Sequence, residues 1–203
     1  MAVVTKTRLA VALKTRWRKK GPRTVDDNAT IAGFNIWKIA QETFKHMENE
    51  GFRFGGDAQV MQVVIEFVAF LVQATDRIIY GHVSESERGL FINALAKHLA
   101  TTLQTNMLDL RGPGDYQQAF VDTLNARFRD YSEYSFTADG PSYGYVRYLG
   151  ERVSETMESS DNRWVVEHVM EIEAPDMLKF LKKVIADVLG VGGADKGAPT
   201  VGD

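Results

Sequence analysis

The 203-residue chain contains no cysteine. Disulfide bonds, thiolate metal ligands and cysteine nucleophiles are therefore excluded. A core without cysteine is compatible with a reducing compartment, so we expect a cytoplasmic protein.

The phosphate-binding loops of nucleotide-dependent enzymes are also missing. Neither G-x-x-x-x-G-K-[ST] nor G-x-G-x-x-G occurs in the sequence. The metal-binding patterns Glu-x-x-His and His-Glu-x-x-His do not occur either. These absences weaken several enzyme classes and leave the cofactor unknown. They do not decide whether the protein is an enzyme, because catalytic residues can converge from distant parts of a chain.

Long apolar runs are scarce, and the most apolar stretch, residues 58–75, is interrupted by Gln59, Gln62, Glu66 and Gln73. Such polar side chains are expensive in lipid, and here they recur on one helical face. We therefore predict a buried helix here and no transmembrane segment.

Apolar residues recur instead at helical spacing along most of the chain. The pattern predicts an all-α protein, a single irregular bundle of about seven helices. We divide the chain into a basic N-terminal arm (1–23), a helical domain (24–190) and a disordered Gly-rich tail (191–203).

Local signals predict where several helices begin and end. Asp26, Asp27 or Asn28 is a candidate cap for the first helix, and Ser84 with Glu87 has the spacing of a capping box. Gly140-Pro141 is predicted to open a helix, since proline suits a first turn. Pro175 is predicted to break or kink a helix, because it lacks the backbone donor.

The N-terminal arm carries eight basic residues and no acidic one, which leaves 16 basic against 27 acidic residues in 24–203, a net charge of −11. A basic arm on an acidic body is typical of a solvated end or of a tail that seeks anions. Its candidate anion-binding residues are Arg16, Arg18, Lys19 and Lys20. Nucleic acid or an anionic membrane surface would be the partner.

A polar stripe on the most apolar helix supplies candidate ligand-binding residues. Gln59, Gln62, Glu66, Gln73 and Arg77 fall within about 60° of one another on a helical wheel. The simpler interpretation is a solvated face. The alternative is a polar cavity in which Glu66 has a raised pKa and needs a partner, such as Arg77 or a histidine. His98, on an apolar stripe, belongs to this alternative.

Aromatic residues are dense between positions 131 and 148, with glycines among them. Tyr143 and Tyr145 are candidates for stacking on a planar ligand. Alternatively, the tyrosines seal the bundle where two helices meet, which we favour.

Two histidines lie near a carboxylate in the sequence, and each such pair is a candidate set of metal ligands. Glu42 with His46 and His168 with Glu171 have spacings that place both side chains on one helix face. Such pairs occur equally in ordinary cores, so no metal ligand and no catalytic residue is assigned from the sequence.

Two functions remain open. The leading hypothesis is a non-catalytic binding or protein-interaction module with a basic arm, interacting with a protein partner or with itself. The alternative is a helical-bundle protein that binds a small molecule or a metal, possibly an enzyme, with its site around Glu66 and His98.

Overall fold

The computed structural model describes residues 23–157 and 164–190, which form an all-α helical bundle. The arm up to residue 22, including Arg16, Arg18, Lys19 and Lys20, lies outside the described residues, as does the tail from 191. The helices are α1 (Val25–Asn49), α2 (Asp57–Ile79), α3 (Glu85–Arg111), α4 (Tyr116–Ser132), α5 (Tyr143–Met157), α6 (Val165–His168) and α7 (Ala174–Leu189). Between α6 and α7 lies a π-helical turn, Val169–Glu173.

Helix α2 is the centre of the bundle. It packs against α1, α3, α4, α5 and α7, which explains why its apolar residues surround the whole helix except for one stripe. By length and composition alone this helix could cross a membrane, but 78% of its most apolar window is buried inside the protein. That burial is what a core helix requires, and the absence of a membrane span stays a prediction.

The caps at the helix ends show where local sequence signals are enough to predict the start of a helix. Ser84 and Glu87 form the expected capping box at the start of α3. The cap of α1 differs from the prediction: Thr24 caps it, in a capping box with Asp27, and Asp26 lies inside the first turn. The box works because the Thr24 hydroxyl accepts from the Asp27 backbone N–H while the Asp27 carboxylate accepts from the Thr24 N–H.

Gly140-Pro141 does not open a helix, contrary to the prediction. The two residues form a short strand, β2, which pairs antiparallel with β1 (Phe136–Thr137). Gly140 has a φ of 125°, which a residue with a side chain rarely adopts, and this turns the chain back along β1. Helix α5 therefore begins only at Tyr143.

Pro175 does not break the helix, although the sequence predicted a break or a kink there. The chain is helical from α6 through the π-turn into α7, with Pro175 in the first turn of α7. Within the π-turn the hydrogen bonds reach one residue further, since the Ala174 N–H donates to the Val169 carbonyl. The longer turn lets the helix continue where proline has removed a donor.

Candidate metal centre

Three potential metal ligands from distant parts of the chain meet beside the π-turn. His46 Nδ1 lies 2.7 Å from Glu173 Oε1, and His168 Nε2 lies 2.8 Å from the same oxygen. All three ligand atoms are within 4.8 Å of one another. We call these residues the His46–His168–Glu173 cluster.

The π-turn is what places two of these ligands together. His168 and Glu173 are five residues apart, and in an α-helix that spacing turns the side chains about 140° away from each other. In a π-helix, hydrogen bonds join residues five apart, so these residues lie one turn above each other. His46 reaches the same point from the last two turns of α1, which packs against α7.

The carboxylate of the cluster is buried. Glu173 is only 3% exposed, and its ion-pair partners in the described part of the chain are the two imidazoles. A buried carboxylate needs a compensating positive charge, which a protonated histidine or a metal ion can supply. The hydrogen bond to Glu173 raises the pKa of His46, an effect opposed by partial burial and supported by the charges of Glu173, Glu50 and Asp176.

Other side chains surround the two rings. Glu50 Oε1 lies 3.9 Å from Nε2 of His46, on the side of the ring away from Glu173, which is too long for a hydrogen bond and leaves only a weak charge contact. The Phe52 ring packs at 4.7 Å from the His168 ring, and the two imidazoles stack at 6.1 Å.

An open groove of about 680 Å³ begins at the cluster and runs between α1 and α7. His46 and Glu173 line one part of it, and its other lining side chains mix both charges with apolar surface. Those other residues include Lys38, Glu42, Lys45, Asp176, Phe180 and Lys183. A metal held by the cluster would therefore be reachable by a ligand lying in the groove.

The helical pairs considered in the sequence do not form this cluster. Glu42 is exposed and pairs with Lys45 at 2.8 Å, and Glu171 is exposed. His46 and His168 instead share Glu173, which sequence reasoning missed because an α-helical period does not align residues five apart. Pro175 was the one available signal, since proline inside a helix is a known cause of local rearrangement.

The polar stripe of α2 is mostly not a solvated face. Glu66 is 7% exposed and Gln73 is 2% exposed, so the simpler interpretation is wrong for both, whereas Gln62 is exposed. The partner of Glu66 is Arg127 of α4 and not Arg77: Arg127 Nε and Nη2 donate to the two carboxylate oxygens at 2.7 and 2.5 Å. This pairing raises the pKa of Arg127.

His98 lies away from Glu66. Its ring packs on Gly33 where α1 and α3 cross, and burial lowers its pKa. Its Nε2 is buried and has no hydrogen-bond partner among the described residues. The structure therefore does not unite Glu66 and His98 in one site.

The two candidate tyrosines are also separated. Tyr143 is 68% exposed at the start of α5, whereas Tyr145 is fully buried. Tyr145 packs on Tyr131 at 4.6 Å and on Phe70 at 5.7 Å, and burial raises its pKa. This aromatic group seals α2 against α4 and α5, as the favoured interpretation predicted for Tyr145, whereas Tyr143 lies outside it.

Residues 140–144 also read G-x-S-x-G, the sequence pattern of a hydrolase nucleophile turn. In the structure Ser142 Oγ accepts the Tyr145 backbone N–H at 3.4 Å, and the Ser142 carbonyl accepts the backbone N–H groups of Tyr145 and Val146. Ser142 therefore caps α5. The strand before it has two residues rather than the parallel sheet on which a nucleophile turn depends.

Comparison of the chain with protein-family models, with curated proteins and with solved structures found no match.

Proposed function

We propose that this protein binds a divalent transition-metal ion through His46, His168 and Glu173. The observation that carries the proposal is the buried Glu173 carboxylate, approached by two imidazole nitrogens at 2.7 and 2.8 Å. A metal ion would neutralise this carboxylate and use all three groups at once.

The donor set favours one class of metal. Imidazole nitrogen suits zinc, iron, copper and nickel, whereas magnesium and calcium prefer sites made of oxygen. Two histidines and one carboxylate are the protein ligands of several catalytic zinc and non-haem iron sites, where further positions are left for water or substrate. Here those positions would face the groove between α1 and α7.

The test is a zinc titration of the untagged full-length chain after treatment with a chelator. Isothermal titration calorimetry should show one bound Zn²⁺ per chain, and excess zinc should raise the melting temperature, since a ligand that binds only the folded state stabilises it. Glu173→Gln and His168→Ala should each weaken zinc binding at least about tenfold, the lower end of what loss of even an outer-shell partner costs.

The matched control is His82→Ala, because His82 is exposed and outside the cluster. This variant should bind zinc like the unchanged chain. If the cluster is only a polar network of the core, Glu173→Gln will lower stability, but zinc will neither bind stoichiometrically nor raise the melting temperature. That result would remove the proposal.

A further inference from the structure

A second cavity lies among α2, α3, α4 and α5, and its lining does not include the His46–His168–Glu173 cluster. Its volume is about 500 Å³, within the range of small-molecule sites, and it is open on one side. Its floor is apolar, formed by Met61, Ile65, Leu103, Met107 and Phe120. We call it the arginine pocket, because Arg111, Arg127 and Arg152 also line it.

The charges of the lining are unbalanced in favour of the positive sign. Three arginines face two carboxylates, those of Glu66 and Glu155. Arg127 is already used, because it holds Glu66 with two hydrogen bonds and contacts Asp130 at 3.3 Å. The capacity to bind a further anion therefore lies with the other two arginines.

Of these two arginines, Arg152 is the one better placed to bind an anion. Its Nε is buried and has no hydrogen-bond partner among the described residues. Its guanidinium pairs with Glu155, three residues along the same helix, whose side chain is 62% exposed. Because the Glu155 carboxylate is largely exposed, its attraction to Arg152 is screened by water, and a better acceptor can replace it.

Tyr148 holds this guanidinium in position. The Arg152 Cζ lies 5.9 Å from the centre of the Tyr148 ring, and the Arg127 Cζ lies 6.0 Å from the same ring. Tyr148 is itself anchored, since its hydroxyl donates to Asp130. A guanidinium held in this way loses less freedom when it binds a carboxylate.

We propose that the arginine pocket binds a small organic carboxylate with an apolar body. Arg152 donates from its terminal nitrogens to the carboxylate, which takes the place of Glu155, and Arg111 adds positive charge at the rim. The apolar body lies on the floor formed by α2, α3 and α4. The proposal is independent of metal binding, because the two sites share no lining residue.

The experiment is a calorimetric titration of the full-length chain with octanoate, and with 1-octanol and inorganic phosphate as probes of the two halves of the ligand. Octanoate should bind more tightly than either. Arg152→Gln should weaken octanoate about ten- to hundredfold, as expected for loss of a charge-assisted bidentate contact. Arg147→Gln, on the same helix with an exposed side chain outside the pocket, should leave the affinity unchanged.

A second variant tests the pocket without removing charge. Ala119 is exposed and lines the cavity, so Ala119→Trp should fill it and prevent octanoate binding in a protein that still folds. The proposal is overturned if octanoate does not bind the unchanged chain. It is also overturned if Arg152→Gln and Ala119→Trp both bind octanoate as tightly as the unchanged chain does. It is also overturned if phosphate or octanol binds as tightly as octanoate.

Discussion

At the scale of single residues, the Glu66–Arg127 pair is the clearest electrostatic feature of the core. The Glu66 side chain is 8% exposed and that of Arg127 is 16% exposed, so water screens the pair weakly. Removing the Glu66 charge leaves the Arg127 guanidinium with only the longer contact to the partly exposed Asp130 carboxylate, at 3.3 Å. Glu66→Gln should therefore lower the free energy of unfolding by about 3 kcal/mol, measured by urea denaturation.

The matched control for that substitution is Glu151→Gln. Glu151 pairs with Arg147 on the surface of α5, where both side chains are about half exposed. An exposed pair contributes between about 0 and 1 kcal/mol, so the control should change stability by less than that. Equal losses in the two variants would show that Glu66 is not held in the buried geometry described here.

His98 makes a pH-dependent contribution of known sign. Burial lowers its pKa below the ordinary value of 6.5, and the charge of Asp26 only partly opposes this. The unfolded chain therefore takes up a proton at His98 more readily than the folded one, and this destabilises the fold as the pH falls below 6.5.

Comparing the unchanged chain with His98→Gln isolates this contribution from those of the other histidines. Between about pH 8 and about pH 5, the free energy of unfolding should fall more steeply for the unchanged chain than for the variant. Parallel pH profiles would show that His98 titrates in the folded protein as it does in the unfolded one.

At the scale of elements, Gly150 sets how closely α5 approaches α6. A Cβ placed there would lie 2.9 Å from the backbone carbonyl oxygen of Val166, which cannot move as a side chain can. Alanine has the better helix propensity, by about 0.5–1 kcal/mol, but the clash outweighs this gain. Gly150→Ala should therefore destabilise the protein by about 1–2 kcal/mol in denaturant titrations.

Gly89 is the matched control, because the same substitution there should raise stability and not lower it. It is helical in α3 and exposed, and a Cβ there would have no neighbouring atom within 4 Å. Gly89→Ala should therefore stabilise the protein by about 0.5–1 kcal/mol. If both alanine variants gain stability, α5 and α6 do not pack as closely as described.

Elements with strong local signals could be predicted from the sequence. The apolar period of α3 and its Ser84–Glu87 box indicated the right helix with the right start. A signal that is compatible with two structures led to a wrong prediction. Gly140-Pro141 suits both a first helical turn and a hairpin strand, and in the structure it forms the strand. The π-turn could not be predicted, because it changes the period on which the prediction rests.

At the scale of the whole molecule, the candidate sites depend on contacts that no local pattern contains. Glu66 meets Arg127 across 61 residues of sequence, and His46 meets Glu173 across 127. The sequence indicated that Glu66 would need a partner if buried, but which cation supplies it depends on how α2 and α4 pack. The same holds for the metal cluster, whose ligands become neighbours only when α1 and the C-terminal helices are in contact.

The charge division of the molecule leads to the last prediction, which concerns the basic arm and an anionic partner. Residues 24–203 carry a net charge of −11, so the body as a whole repels polyanions, whereas the arm carries eight basic residues and no acidic one. Replacing Arg16, Arg18, Lys19 and Lys20 by glutamine keeps the Thr24 cap of α1 and removes half of the arm's charge. Affinity for DNA, RNA or anionic vesicles at low salt should then fall, and for DNA each lost phosphate contact should reduce the slope of log affinity against log salt by about 0.9. Equal binding by both chains, or no binding by either, would contradict an anion-binding arm.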